Sequence, residues 1–375
     1  MNEPLRDLDW PALRARLAEH GVGERVARKV FARVHRDWAT SLDDLDALPG
    51  SVRRDLASES PFPDIQVIER RRAADGFVKY LFRLADGAQI EAVRIPLPDP
   101  ADARELKARR RRGEAQGLVA LPTAKYTLCI SSQVGCALGC AFCATGQLGF
   151  ARNLATWEML AQVHAIRAEA EHPVRGVLFL GMGEPLLNYD NVMATARILS
   201  HPAGLAISAD GISISTAGVV PAIRRFATEK TRFRLIISLA APTPAMRRSL
   251  MPIEQRWPLA DVAAAVRAYA EASRSRVTLA YVGISGVNMD RQAARDLAAL
   301  FAGVRVKVNL IDVNDVTGRF VPPTNAEVTE LRDELSQHGI PMVRRYAGGR
   351  DIGAACGTLA ATRAGGVVVA ARDGE

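Results

Sequence analysis

The stretch Cys136-Ala137-Leu138-Gly139-Cys140-Ala141-Phe142-Cys143 decides how the chain is read. It places three of the five cysteines within eight residues, spaced C-x3-C-x2-C, and Gly135, Gly139 and Gly146 keep the backbone around them compact. Thiolates are soft ligands, and closely spaced cysteines on one loop commonly hold an iron–sulfur cluster. Four thiolates would close a four-iron cluster, whereas this loop offers three. If no fourth joins, one iron keeps an open position for an exogenous ligand. The competing reading is a structural zinc loop, which takes four protein ligands, usually as two close pairs. Here the second pair is missing: Cys129 and Cys356 stand alone, and the nearest downstream histidine is His164. The spacing favours the cluster.

Composition sets the frame around that loop. A chain of 375 residues has room for two or three domains, and 48% apolar with 24% charged residues is an ordinary globular balance. No run approaches the roughly 18 apolar residues of a membrane span, and the N-terminus, Met1 to Asp7, is too charged for a signal peptide. Few cysteines, most of them clustered, suit a reducing compartment, so the expected location is the cytoplasm. The net charge of +8 points weakly to a polyanionic partner, although an arginine-rich proteome gives the same signature.

Residues 1–62 read as a small helical domain. Trp10, Leu13, Leu17, Val22, Val26, Val30 and Phe31 recur at helical intervals broken by Gly21 and Gly23. Its cations, Arg14, Arg16, Arg25, Arg28, Lys29, Arg33 and Arg36, suit nucleic-acid phosphates or a merely solvated face. Residues 63–97 read as an antiparallel meander of three strands, at 65–70, 77–82 and 89–95, with Asp75-Gly76 and Asp86-Gly87 at the turns. Glu91 sits on the last of them. Residues 98–124 form an arginine-rich connection, its run Arg109 to Arg112 being either an RNA-backbone contact or a solvated arm.

Residues 125–360 alternate strand and helix, and 361–375 remain as a tail. Strands are expected at 125–131, 175–180, 211–216, 233–239, 276–283 and 305–312. Helices are expected at 156–170, 190–199, 219–227, 258–273, 291–301 and 325–338. The fold class is therefore α/β: a partial (βα)6 barrel, open on one side for a large substrate, behind a helical domain and an antiparallel β linker. Such sheets bind ligands at the carboxyl ends of their strands, where the cysteine loop also falls.

The other motifs lie at that same edge. Gly181-Met182-Gly183-Glu184-Pro185 follows the second strand, its glycines permitting close backbone approach and Glu184 offering a carboxylate to an ammonium. Ser213 to Gly218, with Ser215, ends the third strand; Ser238-Leu239-Ala240 ends the fourth; Asn309 to Asn314 ends the sixth. Each supplies hydroxyl, amide or backbone groups for a polar ligand, and each alone would pass for a turn or cap. Cys129 and Cys356 remain, the latter flanked by Ala355 and Gly357 with minimal bulk.

The cysteine loop resembles the hallmark of radical S-adenosylmethionine (SAM) enzymes. There, SAM's amino and carboxylate groups chelate the open iron, and an electron from the cluster splits the sulfonium to give a 5′-deoxyadenosyl radical. More specifically, the chain resembles the RlmN/Cfr family, which methylates an adenine ring carbon in ribosomal RNA. The matching stretches are Leu128 through Cys143, Gly181 to Asn188, Ser215 to Pro221, Val308 to Ile311 and Ala354 to Gly357, and the order of the upstream domains agrees.

The resemblance implies one [4Fe-4S] cluster on Cys136, Cys140 and Cys143, with SAM contacts at Gly183, Glu184, Ser215, Ser238, Leu239, Ala240 and Asn314. It implies that Cys356 is methylated by a first SAM and that the radical from a second SAM takes hydrogen from that S-methyl group. The resulting carbon radical adds to adenine, forming a protein–RNA crosslink. Glu91 is implied as the base for the ring proton, and Cys129 as the thiolate that frees the RNA through a transient disulfide with Cys356. The detour has a physical reason: an amidine carbon such as adenine C2 is electrophilic, so polar methyl transfer fails there. Structured rRNA or tRNA is the implied substrate, a flavodoxin or ferredoxin the implied electron donor, and a monomer without membrane attachment the implied state.

Two departures stand out. The family's link between the base glutamate and the resolving cysteine is short, whereas here it is extended by 98–124. The family's serine-leucine-histidine is Ser238-Leu239-Ala240 in this chain, which bears on substrate choice more than on chemistry. Methylation at adenine C8, another radical-SAM reaction class, and a catalytically idle RNA-binding protein are the alternative readings.

Overall fold

The computed structural model describes residues 4–57, 62–111, 121–315, 318–345 and 348–360. One mixed sheet organises it. Its strands are β1 (Gln66–Arg72), β2 (Val78–Arg83), β3 (Gln89–Pro98), β4 (Thr123–Ile130), β7 (Val174–Phe179), β8 (Ile212–Thr216), β9 (Arg234–Leu239), β10 (Val277–Gly283), β11 (Val306–Asp312) and β12 (Met342–Arg344), in that spatial order. The intervening β5 (Gln133–Gly135) and β6 (Phe150–Asn153) form a separate ribbon that brackets the cysteine loop.

From β4 to β12 every neighbouring pair is parallel, while β1 to β4 pair antiparallel. The meander is thus an extension of the barrel sheet, joined where β3 pairs with β4. Crossover helices cover the outside at Thr156–Ala168, Tyr189–Ser200, Val220–Thr228, Leu259–Ser273, Arg291–Leu300 and Asn325–Gln337. Burial explains the strands. All five residues of β8 are buried, as expected of a central parallel strand with both faces covered. In β11, Val306, Val308 and Leu310 are buried, whereas the alternate residues are half-buried.

The six expected strands and six expected helices are all present, shifted at their ends by one or two residues. Two features differ from the sequence reading. A short seventh parallel strand, β12, extends the barrel edge. The 98–124 connection begins with a helix, Pro100–Arg111, started by Asp99, whose side chain accepts from Ala101 N at 2.7 Å. Its Ala, Arg, Glu, Leu and Lys content is strongly helix-forming. The side chains of the Arg109–Arg112 run lie outside the described residues, as does the 361–375 tail.

The N-terminal helices, Trp10–Glu19, Glu24–Phe31 and Gly50–Ala57, pack against the barrel's outer layer. Asp7 accepts from Trp157 N at 2.7 Å, and Trp38 stacks on His164 with ring centres 4.2 Å apart.

One buried ion pair braces the barrel beneath the cysteine loop. After β9, the helix Pro244–Leu250 carries Arg247, fully buried, which pairs with buried Glu254 and also donates to Trp257 O and Ala217 O, both at 2.8 Å. Leu250 O at the end of that helix accepts from Ala141 N in the cysteine loop at 2.9 Å. Removing one partner of a buried pair leaves an uncompensated charge, so Arg247→Ala is expected to cost about 3–5 kcal/mol. A urea unfolding curve compared with the unsubstituted protein checks this; a shift below about 1 kcal/mol would contradict the brace.

Candidate active site

The cysteine loop leaves β5 and folds back on itself. Gly135 has φ +72°, and a Cβ there would lie 1.9 Å from Gly149 O, so only glycine allows the ribbon to close. Cys136 N donates to Gly149 O at 2.7 Å, and Cys143 N to Cys140 O at 3.1 Å. The loop is tied to the β7 turn by side chains. Gln133 Oε1 accepts from Glu184 N at 2.8 Å, Ser131 Oγ accepts from Met182 N at 3.0 Å, and Asn188 Nδ2 donates to Ser132 O at 2.9 Å. Gly181 and Gly183 serve this packing: an added Cβ would come within 2.6 Å of Ile130 O and of Gln133 Cβ respectively. Chain-on-chain contact alone thus requires glycine at both positions, and both also line the cavity at the carboxyl edge of the sheet.

One cavity at the carboxyl edge of the sheet gathers most of the expected residues. Cys136, Cys140, Cys143, Gly183, Glu184, Ser215, Ser238, Leu239, Ala240, Asn314 and Cys356 all line it. Cys129 and Glu91 do not line it; both are buried in the adjoining sheet. Ser215 and Ser238 face each other with their hydroxyl oxygens 2.8 Å apart. The carbonyl of Ala240 accepts from Asn288 Nδ2 at 2.6 Å, leaving its small side chain where the family carries a histidine.

Glu184 is fully buried, and burial raises its carboxyl to about 7 against the pull of two backbone donors, Ala217 N at 2.8 Å and Leu186 N at 2.9 Å. It therefore joins the β7 and β8 turns while sharing the cavity wall with the cysteines.

The three cysteines are free thiols. Burial pushes Cys136 up to about 12 and Cys140 higher still, and Cys143 raises both further. Three sulfur donors that feel one another around one cavity suit an iron–sulfur group, whose positive irons would stabilise them as thiolates.

The chain's last described segment closes the site. Gly357 O accepts from Ala144 N at 2.8 Å, Asn314 Nδ2 approaches Cys356 O at 3.4 Å, and Gly349 N donates to Asp75 at the β1–β2 turn at 2.9 Å. Cys356 has an exposed surface beside the cavity, yet the surrounding protein pushes its thiol up, with Cys143 adding to the effect. Cys129, in β4, is pushed up by burial and then by Cys356, which places the two within electrostatic reach. All five cysteines are free, so no disulfide joins them.

Glu91 is not the exposed strand residue that its sequence context allowed. It is fully buried, with Oε1 2.9 Å from Lys79 Nζ and Oε2 accepting from Ala360 N at 2.9 Å. The sequence reading also passed over Asp312, which accepts from Arg344 through both oxygens at 2.8 Å and from Arg350 at 3.2 Å, anchoring the Cys356 segment to β11. The signal was there in an acidic residue closing an apolar strand, but its arginines lie far along the chain.

A three-cysteine loop at the carboxyl edge of an open parallel barrel, facing a glycine-glutamate turn, defines a radical-SAM enzyme, and residues 130–298 match the Radical SAM superfamily. The chain is 47% identical over 97% of its length, and 96% of the relative's, to a "Probable RNA methyltransferase" of Myxococcus xanthus. It is 38% identical over 96% of its length, and 94% of the relative's, to a "Probable dual-specificity RNA methyltransferase RlmN" of Gemmatimonas aurantiaca. The crystal structure of a radical SAM methyltransferase from Sphaerobacter thermophilus superposes with a TM-score of 0.81 at 38% identity, covering 96% of this chain and 99% of that one. The chain belongs to the RlmN/Cfr family of radical-SAM RNA methyltransferases. Among the described residues no helix is long and apolar enough to cross a membrane.

If Glu184 receives the ammonium of SAM, binding requires its ionised form. Affinity is then expected to rise about tenfold per pH unit up to about 7 and to level off above it. Calorimetric titration with SAM between about pH 5 and 8 checks this, and Glu184→Gln is expected to flatten the slope.

Proposed function

We propose that the enzyme methylates a ring carbon of adenosine, C2, in structured rRNA or tRNA, by way of an S-methylated Cys356 and a transient protein–RNA crosslink. The observation that carries the proposal is Cys356 lining the three-cysteine cavity while its thiol acts electrostatically on Cys129, buried in β4 beside that cavity, from opposite ends of the barrel sequence. An RNA substrate accords with the relatives' names. When bound, a [4Fe-4S] cluster on Cys136, Cys140 and Cys143 supplies the electron that cleaves SAM.

The remaining chemistry falls to the chain's own side chains. Cys356, accessible beside the cavity, takes a methyl group on sulfur and presents its carbon to the base. The adduct of the carbon radical with the ring loses one electron, for which the oxidised iron–sulfur group would be the acceptor, and Glu91 accepts the proton lost from the ring carbon. Cys129 then attacks Cys356 Sγ: a sulfur–sulfur bond forms, the sulfur–carbon bond breaks with its electron pair left on carbon, and that carbon is protonated to a methyl group. Asn314 and the Ser215–Ser238 pair hold the polar parts of SAM. Glu184 faces its ammonium.

RNA contact is assigned to the groove on the N-terminal helices. Arg25, Arg28, Lys29, Arg33 and Arg36 line it. Asp37 and Asp46 neutralise Arg33 and Arg36, whereas Arg25, Arg28 and Lys29 have no acidic partner among the described residues. Replacing all three by alanine is expected to reduce the slope of log affinity against log salt by about 2–3, as for lost phosphate contacts. An unchanged slope would remove the groove from the RNA interface.

The central test is mass spectrometry of protein purified without oxygen and mixed with SAM. Cys356 is expected to carry a methyl group, and Cys129→Ala to accumulate an RNA adduct on Cys356 whose sequence identifies the target. An unmodified Cys356 in protein that still cleaves SAM would point to another radical chemistry.

A further inference from the structure

Glu91 is not alone in its site. Lys79 is also buried, and its ammonium nitrogen lies 2.9 Å from Glu91 Oε1. In the β2–β3 register Lys79 stands opposite Val93, and Leu81 opposite Glu91, so Lys79 and Glu91 are diagonal neighbours on one face. Val93 in turn stands opposite Cys129 on β4. Lys79, Glu91 and Cys129 therefore share one side of the sheet.

The Cys356 segment closes over that side. A Cβ on Gly353 would lie 3.3 Å from Lys79 Nζ, and Ala360 N donates to Glu91 Oε2 at 2.9 Å. The pair thus touches the segment both before and after Cys356.

A buried ion pair is a poor way to hold two strands together, because desolvating both charges offsets most of their attraction and apolar residues do as well. The strands already have their ladder and apolar partners. Moreover, no well-aligned hydrogen bond reaches Glu91 Oε1 despite the close ammonium, so this oxygen keeps acceptor capacity in a buried place. Two other charges lie near this face: Arg71, opposite Lys79 on β1, pairs with Glu69 at 2.7 Å and acts on Glu91 only at longer range, and Asp75 accepts from Gly349 N.

We propose that Lys79 is the positioning residue for Glu91, its ammonium fixing the carboxylate beneath the Cys356 segment and aiming it at the substrate's ring proton. The proposal rests on the role of Glu91 given above. In the step it serves, the ring C–H bond breaks, its electron pair stays with the ring, and an O–H bond forms on Glu91; Lys79 changes no bond. Without Lys79, the Glu91 carboxylate would lose its nearest cation in a dry site, leaving only Arg71 on β1, which is itself paired with Glu69, and would turn away from the position that the step requires.

The test follows single turnovers with RNA and SAM and reads two steps separately: methylation of Cys356, and disappearance of the protein–RNA adduct. Lys79→Met is expected to methylate Cys356 at the unsubstituted rate but to resolve the adduct about 100-fold more slowly, as Glu91→Gln does, a loss in the range of general-base catalysis. Lys79→Arg, which keeps the cation, is expected to recover at least about tenfold of that loss. A purely structural role would lower both steps together and show no recovery with arginine, and either result would overturn the proposal. So would unimpaired resolution in Lys79→Met. If no adduct ever forms, even in Cys129→Ala, the role of Glu91 itself fails, an outcome distinct from the others. Should Lys79→Met not fold, Lys79→Gln is followed through the same two steps; slowed resolution with unchanged Cys356 methylation is expected there too, and unimpaired resolution would overturn the proposal.

Discussion

Everything at the catalytic edge depends on the docking of residues 348–360 across the open mouth of the barrel. That segment is gripped at several places by parts of the chain distant from it in sequence. Asp75 holds Gly349, Asp312 holds Arg350, the cysteine loop holds Gly357 through Ala144, and Glu91 holds Ala360. These contacts hold Cys356 where its thiol and those of Cys143 and Cys129 influence one another. The site is therefore built by closure, from a loop after the first parallel strand and a segment after the last.

The same closure explains why the meander belongs to the barrel sheet. Because β3 pairs with β4, a row of side chains runs unbroken from Arg71 through Lys79 and Val93 to Cys129. An independent linker domain could not hold Glu91 at a fixed place relative to the cysteines. Extending the sheet by three antiparallel strands makes that position as rigid as the barrel itself, the kind of support that proton transfer demands.

What could be read in the chain, and what could not, follows from the range of each interaction. The parallel strands and their helices were legible because apolar runs and helical periodicity are local signals, and the cysteine triplet because its ligands are consecutive. The helix Pro100–Arg111 was hidden by its arginines, whose charge suggested an extended arm although their helix propensity is high. β12 is three residues long and carries no pattern of its own. Lys79 looked like any strand lysine, since its partner lies on the next strand and its burial depends on a segment near the other end of the chain. Asp312 was missed for the same reason. The glycines at 181 and 183 were noticed for close backbone approach, but that they also admit Ile130 and Gln133 could not be read, since those neighbours lie on another strand and loop.

The burial of the two extra cysteines bears on how the proposed chemistry is kept in order. A thiolate, not a thiol, attacks sulfur, and both Cys129 and Cys356 are held above the ordinary thiol range, chiefly by burial. Two neighbouring thiols with ordinary acidity would be prone to join as a disulfide and silence Cys356 before it received a methyl group. Desolvation suppresses that side reaction by keeping both sulfurs protonated, in accord with five free cysteines. Once Cys356 is a thioether it has no proton to lose, so Cys129 is the one of the two that can still become a thiolate, and in the proposed chemistry the order of events follows from which sulfur keeps its proton.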